Sequence, residues 1–253
     1  ASRLIDIGNL TLPEVGEAQG PRQLTVFEDL RRAGPIPGRF VLVGGPGQGK
    51  TTVGQFLCQL YRAAILSHCK KLAPEVRDAL RVIKCQCETD GIEPPKAPRF
   101  PIRVVLNDLA AELASNQPDK ATSLLSYVAR QIRRVADREA STGDLRNWLR
   151  HYPWFLVLDG LDEVPSSSNR DAVLKAIQEF WVEAPEADIL VLTTTRPQGY
   201  SDDVSPRYYR HFYLQPLSSE RALYYGERLA GALFPTRKDR RDAVVSYLRE
   251  AVS

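Results

Sequence analysis

Phe40-Val41-Leu42-Val43-Gly44-Gly45-Pro46-Gly47-Gln48-Gly49-Lys50-Thr51-Thr52 is the stretch on which the reading of this chain turns. An apolar run leads into a glycine-rich turn, and Lys-Thr-Thr then opens a helical pattern. Positions 44 to 51 satisfy G-x-x-x-x-G-K-S/T without a mismatch, with the required strand before and helix after. Gly44, Gly45, Pro46, Gly47, Gln48 and Gly49 form a turn whose backbone N–H groups can wrap phosphate oxygens without side-chain clash. The helix beginning at Lys50, Thr51 and Thr52 aims its unpaired N–H groups and positive dipole end at the same anion. Lys50 would place a cation on the β- and γ-phosphates. Thr51 would offer its hydroxyl to Mg²⁺, a hard ion that takes few protein ligands and keeps several waters.

A second stretch narrows the chemistry. In Leu156-Val157-Leu158-Asp159-Gly160-Leu161-Asp162-Glu163 a buried strand delivers Asp159 at its C-terminal end, where ligands bind in open α/β sheets. A carboxylate there can hold Mg²⁺. Asp162 and Glu163 lie just beyond, and either can orient or deprotonate an attacking water. A later apolar run, Ile189 to Thr195, ends in Arg196-Pro197. Arg196 either pairs with a γ-phosphate in a forked geometry, or else caps the sheet edge or pairs with a structural acid.

Working outward, the order of elements predicts an α/β protein. Residues 1–20 read as an irregular or short-strand lead-in, and Pro21 to Arg32 as a helix, because Leu24, Phe27 and Leu30 recur at intervals of three. Arg39–Val43, Phe100–Leu106, Trp154–Leu158, Ile189–Thr195 and Phe212–Leu214 read as strands. Amphipathic helices are expected from the phosphate loop to about His68, over Pro74–Cys87, from Asn107 with that residue as a polar cap, and around Leu124–Val135. Further helices are expected over Asp144–His151, Asp171–Val182, from Ser218 onward, and over Asp239–Val252. Strands alternating with helices imply a parallel sheet covered on both faces.

Bulk properties exclude little but agree. The 253 residues are 43% hydrophobic and 26% charged with net charge +3, an ordinary globular balance that makes no independent case for nucleic acid or an anionic membrane as the main partner. No apolar run is long enough to span a bilayer, and no secretory signal is visible. Cys58, Cys69, Cys85 and Cys87 lack metal-ligand spacing and read as reduced thiols, which fits a cytoplasmic protein. Arg130, Arg133, Arg134 and Arg138 share one helix face. A solvated surface explains them better than nucleic-acid contact. Methionine is absent and the chain stops inside a helical pattern. The expectation is a segment of a longer protein, or a chain from which residues are missing.

Together, Gly44–Thr52, Leu158-Asp-Gly-Leu-Asp-Glu163 and Thr194-Thr-Arg-Pro197 resemble the NACHT family of STAND-class P-loop NTPases. These are relatives of AAA+ ATPases found in animal inflammasome receptors and bacterial antiphage proteins. A small residue after the Mg²⁺ aspartate, followed by two acids, is the family's mark. The resemblance implies a three-layer P-loop NTPase over residues 1–215, with a parallel five-stranded sheet of order 5-1-4-3-2. The start of an all-helical subdomain would follow over 216–253. It implies Gly44–Thr52 as Walker A, Asp159 as the Walker B aspartate, Glu163 or Asp162 acting on water, and Arg196 as sensor 1. Pro216 matches the family's adenine-contacting proline, although the family glycine two residues earlier is Leu214 here. ATP or ADP with Mg²⁺ is the implied ligand, since nothing resembles a guanine-reading N-K-x-D. The implied activity is a slow ATPase that switches oligomerisation with its nucleotide in innate, antiphage defence, with sensing and effector domains outside this chain. The rival is an AAA+-like ATPase or motor acting on nucleic acid.

Overall fold

A computed structural model describes residues 10–12, 22–24, 38–115, 121–136, 138–165, 168–183, 187–197, 204 and 209–252. Its strands are β1 (Leu10–Leu12), β2 (Arg22–Leu24), β3 (Arg39–Val43), β4 (Phe100–Val105), β5 (Trp154–Asp159), β6 (Ile189–Thr195) and β7 (Arg210–Leu214). Its helices are α1 (Lys50–Leu66), α2 (Pro74–Asp90), α3 (Leu106–Leu113), α4 (Leu124–Ala136), α5 (Thr142–His151), α6 (Ser168–Glu183), α7 (Ser219–Leu233) and α8 (Lys238–Val252).

All the strands join one sheet of order β2-β1-β7-β3-β6-β5-β4. The five from β3 to β7 are mutually parallel. Counted in chain order, they follow the expected 5-1-4-3-2. The sheet is longer than expected, because β1 and β2 pair antiparallel and extend it beside β7. That pairing corrects part of one expectation. Arg22–Leu24 is a strand, whereas a helix was expected over Pro21 to Arg32; residues 25–32 of that segment lie outside the described residues. Over Arg22–Leu24, pairing with the open edge of β1 outweighs a weak three-residue period.

Alternate side chains of each parallel strand enter opposite cores, as a pleated strand requires. Phe40, Leu42, Phe155, Val157, Leu190, Leu192, Phe212 and Leu214 face α1 and the end of α2. Val41, Val43, Val104, Trp154, Leu156, Leu158 and Val191 face α3, α4, α5 and α6. Every residue of β5 and β6 is buried, so the apolar runs without alternation have the cause that was inferred for them. The result is three layers, helix on sheet on helix. Tyr61 of α1 stacks on Phe155 at 4.7 Å between ring centroids, seating α1 over the sheet.

Helix starts show where local chemistry decides and where it does not. Ser141 caps α5 through a reciprocal pair with Asp144, and Ser218 caps α7 by accepting from the Arg221 N–H. The polar cap expected at Asn107 is not used. α3 begins one residue earlier, at Leu106, with Val105 as its cap and no side-chain bond. Strand β4 passes straight into this helix because Leu106 and Leu109 are both fully buried and fix its register. α7 and α8 pack chiefly on each other, and Arg228 of α7 hydrogen-bonds Gln86 of α2. Among the described residues no helix is long and apolar enough to cross a membrane.

Candidate functional site

The parallel register sets the C-terminal ends of β3, β6 and β5 side by side, with Val43 beside Thr195 and Leu158 beside Thr193. Residues leaving those ends therefore meet at one edge of the sheet. From β3 the chain turns through Gly44–Gly49 into α1. The Gly44 N–H donates to the Thr195 carbonyl at 3.1 Å, tying the loop to β6. Gln48 accepts from the Gly45 N–H through its side-chain oxygen. Gly47 and Gly49 have φ of 70° and 85°, where a side chain would be strained, and no atom lies within 4 Å of where a Cβ would stand. The loop thus leaves open space beside Gly47 and Gly49. After it, the N–H groups of Lys50, Thr51 and Thr52 open α1 and have no partner inside the helix.

Lys50 folds back over this loop. Its ammonium donates to the Gly44 carbonyl at 2.8 Å and the Gly45 carbonyl at 3.1 Å. Burial, the largest influence, lowers its pKa; Asp162, Glu163 and Asp159 oppose that, while Arg196 adds to it. Asp159, Asp162, Glu163 and Arg196 thus all lie near enough for their charges to act on Lys50.

Asp159 is the node of the site. Its carboxylate is 4% exposed, and its Oδ1 accepts from the Thr51 hydroxyl at 3.2 Å and the Thr194 hydroxyl at 2.7 Å. Thr194 also accepts from the Gly160 N–H at 2.8 Å, so one hydroxyl fixes both the acid and the turn after it. Oδ2 accepts from Arg103 twice, from Nε at 3.0 Å and Nη2 at 2.6 Å. Gly160 turns with φ 82° into a short 3₁₀ segment, Leu161–Glu163. There the two acids part. Asp162 is almost buried and pairs with Arg196 Nε at 2.7 Å. Glu163 is exposed, with its carboxylate folded over Gly160.

Lys50, Thr51, Asp159, Asp162, Glu163 and Arg196 are thus brought to one sheet edge. Arg196 pairs with Asp162, itself one of the two candidate acids. Pro216 is exposed just past β7, while the preceding Leu214 is buried against Gly44: a Cβ on that glycine would stand 3.2 Å from the Leu214 Cβ. The basic face of α4 is partly used internally, since Arg130 and Arg134 lie 3.2 and 3.6 Å from the buried Glu112. Among the described residues no cluster of three or more His, Cys, Asp or Glu is placed to hold a metal. The hydroxyl of Thr51 and the carboxylate of Asp159 form the hard-oxygen pair that suits Mg²⁺.

Two residues escaped the sequence reading. Thr194 opens the Thr194-Thr-Arg-Pro197 stretch but carries no signal of a role of its own. Arg103 does carry one: it is a charged residue inside an otherwise apolar strand, and such a residue needs a partner.

The profile of the family described as nephrocystin 3, N-terminal, matches residues 25–196, more than half of the chain. No curated protein matches it in sequence. A solved structure, that of the HORMA:CdnC:Trip13 complex of E. coli MS115-1, aligns over 80% of this chain and 73% of its own. It does so at 13% identity and a TM-score of 0.31, a likeness too slight to inform the fold.

Proposed function

The chain belongs to the nephrocystin 3 N-terminal family, and on that footing we propose that it is an ATP- and ADP-binding P-loop module of the NACHT type, holding Mg²⁺ and switching state with its nucleotide. One observation carries the reading. Thr51 and Asp159 are 108 residues apart in sequence, yet their side chains meet at 3.2 Å beside the Gly44–Lys50 loop. A hydroxyl and a carboxylate at the mouth of a backbone anion cradle are what a magnesium–phosphate ligand requires.

In this reading the N–H groups from Gly47 to Thr52 bind the phosphates, and Lys50 leaves the Gly44 and Gly45 carbonyls to pair with them. Thr51 and Asp159 hold Mg²⁺, which when bound offsets phosphate charge. Glu163, the exposed acid, orients the attacking water, while Asp162 serves as the anchor of Arg196. Arg196 exchanges Asp162 for a γ-phosphate and so senses it, a discrete change of partner of the kind that drives two-state switches. Hydrolysis is slow and acts as a reset, and the ATP-bound form self-associates through parts that include α7 and α8. A motor acting on nucleic acid is the weaker reading, because Arg130 and Arg134 are engaged by Glu112.

Titration with a fluorescent ATP analogue tests this. Lys50→Ala is expected to weaken ATP binding by about tenfold or more, the loss of one charge-assisted contact. Equal affinity in the two proteins would remove the phosphate cradle from the account.

A further inference from the structure

Asp159 has four donors, and a carboxylate offers about four lone-pair sites. Thr51 and Thr194 take Oδ1, and the two nitrogens of Arg103 take Oδ2. No acceptor site is left over for a cation, and a guanidinium already supplies the positive charge that this buried acid needs. The three donating residues differ in freedom. Thr194 is fully buried in β6, and Thr51, though exposed, has a short side chain fixed in the first turn of α1. Arg103 comes from β4, which ends the order of described strands, and its side chain is 32% exposed. It stands opposite Val157 and reaches diagonally, along the same face, to Asp159 two residues on. Arg103 is the donor that can leave.

We propose that Arg103 is an internal counter-ion of Asp159 which a divalent cation must displace, so that Arg103 sets the metal concentration at which the site fills. This rests on the reading of Thr51 and Asp159 as a magnesium site. The exchange is balanced in charge sign: the buried carboxylate is compensated by the guanidinium or by the metal, and never stands alone. Arg103 therefore acts as a positioning residue that holds the acid ready and raises the threshold for metal entry.

The test uses the whole chain without nucleotide. Thermal unfolding is followed as Mg²⁺ or Mn²⁺ is raised at constant ionic strength, for wild type, Arg103→Gln and Arg103→Lys. In EDTA, Arg103→Gln is expected to melt below wild type, because Asp159 has lost its cation. Metal is expected to restore it, at concentrations about tenfold or more below those that move wild type. Arg103→Lys, which keeps the charge but loses the fork, should fall between. Adding Asp159→Asn to Arg103→Gln should abolish the response. A purely structural arginine predicts a deficit that metal does not relieve; that result, or identical metal responses in wild type and variants, overturns the proposal. If Arg103→Gln does not fold, Arg103→Lys decides on the same criterion. Binding of the ATP analogue with and without metal is measured alongside. Its absence from wild type would defeat the nucleotide reading while leaving the metal comparison to judge Arg103.

Discussion

Replacing Thr194 with valine isolates the contact that holds the site together. The two side chains have nearly the same shape, and valine suits a strand at least as well as threonine, so packing and propensity change little. Two bonds disappear. Asp159 loses a 2.7 Å hydrogen bond to a charged acceptor, worth about 1.5–3 kcal/mol. The Gly160 N–H loses its acceptor in a buried position, at a cost of about 1–3 kcal/mol. The added methyl returns about 0.8 kcal/mol of burial. The net expectation is a destabilisation of about 2–5 kcal/mol, or roughly 10 °C in melting temperature for a chain of this size. Thr195→Val is the control. Thr195 is equally buried, but its hydroxyl reaches only the Arg196 carbonyl at 3.5 Å, so its loss should cost under about 1 kcal/mol. Urea unfolding of both variants, followed by circular dichroism, gives the comparison. Equal losses, or a Thr194→Val protein within about 0.5 kcal/mol of wild type, would refute the assignment of Thr194 as the anchor of Asp159.

Other expectations follow from the fold. Cys69 and Cys85 are exposed, whereas Cys58 and Cys87 are buried, and burial pushes the Cys58 thiol up to about 11. A colorimetric thiol reagent should therefore modify Cys69 and Cys85 in the native protein and reach Cys58 and Cys87 only on unfolding; rapid native labelling of Cys58, read by peptide mass, would contradict the packing of α1. Asp144 is held below the usual carboxylate range by hydrogen bonds from the Ser141 side chain and then its backbone N–H. Because the folded pKa is depressed, the cap on α5 is fully effective above the unfolded value, about 3.9, and fades as pH falls through the folded one. Ser141→Ala should raise the Asp144 pKa in an NMR titration, and the gap between its urea midpoint and that of wild type should narrow at acid pH without closing, because the Ser141 hydroxyl also accepts from the Asp144 N–H at every pH; a gap that stays constant down to the lowest pH would argue against the carboxylate's half of the cap.

Most of the fold was legible because it is written in local patterns. The buried runs 39–43, 154–158 and 189–195 are apolar without alternation and have sharp boundaries, and the loop at 44–52 has the glycine spacing of a strand-to-helix turn. Those features say that a strand ends in a turn, that a helix follows, and that Asp159 leaves a buried strand at its C-terminal end. Each is decided within about ten residues of chain. What the sequence could not decide was pairing. Asp162 and Glu163 are adjacent acids, and only the 3₁₀ turn after Gly160 sends one to Arg196 and the other toward solvent. Leu106 rather than Asn107 opens α3 because burial outweighs a cap. The partners of Asp159 come from 108 and 56 residues before it and 35 after it, brought within bonding distance by strand order and the seating of α1. Side-chain charge and backbone period are properties of neighbours along the chain. Which charge neutralises which is a property of the folded sheet, since a buried carboxylate takes whatever donors the strand order places at its edge.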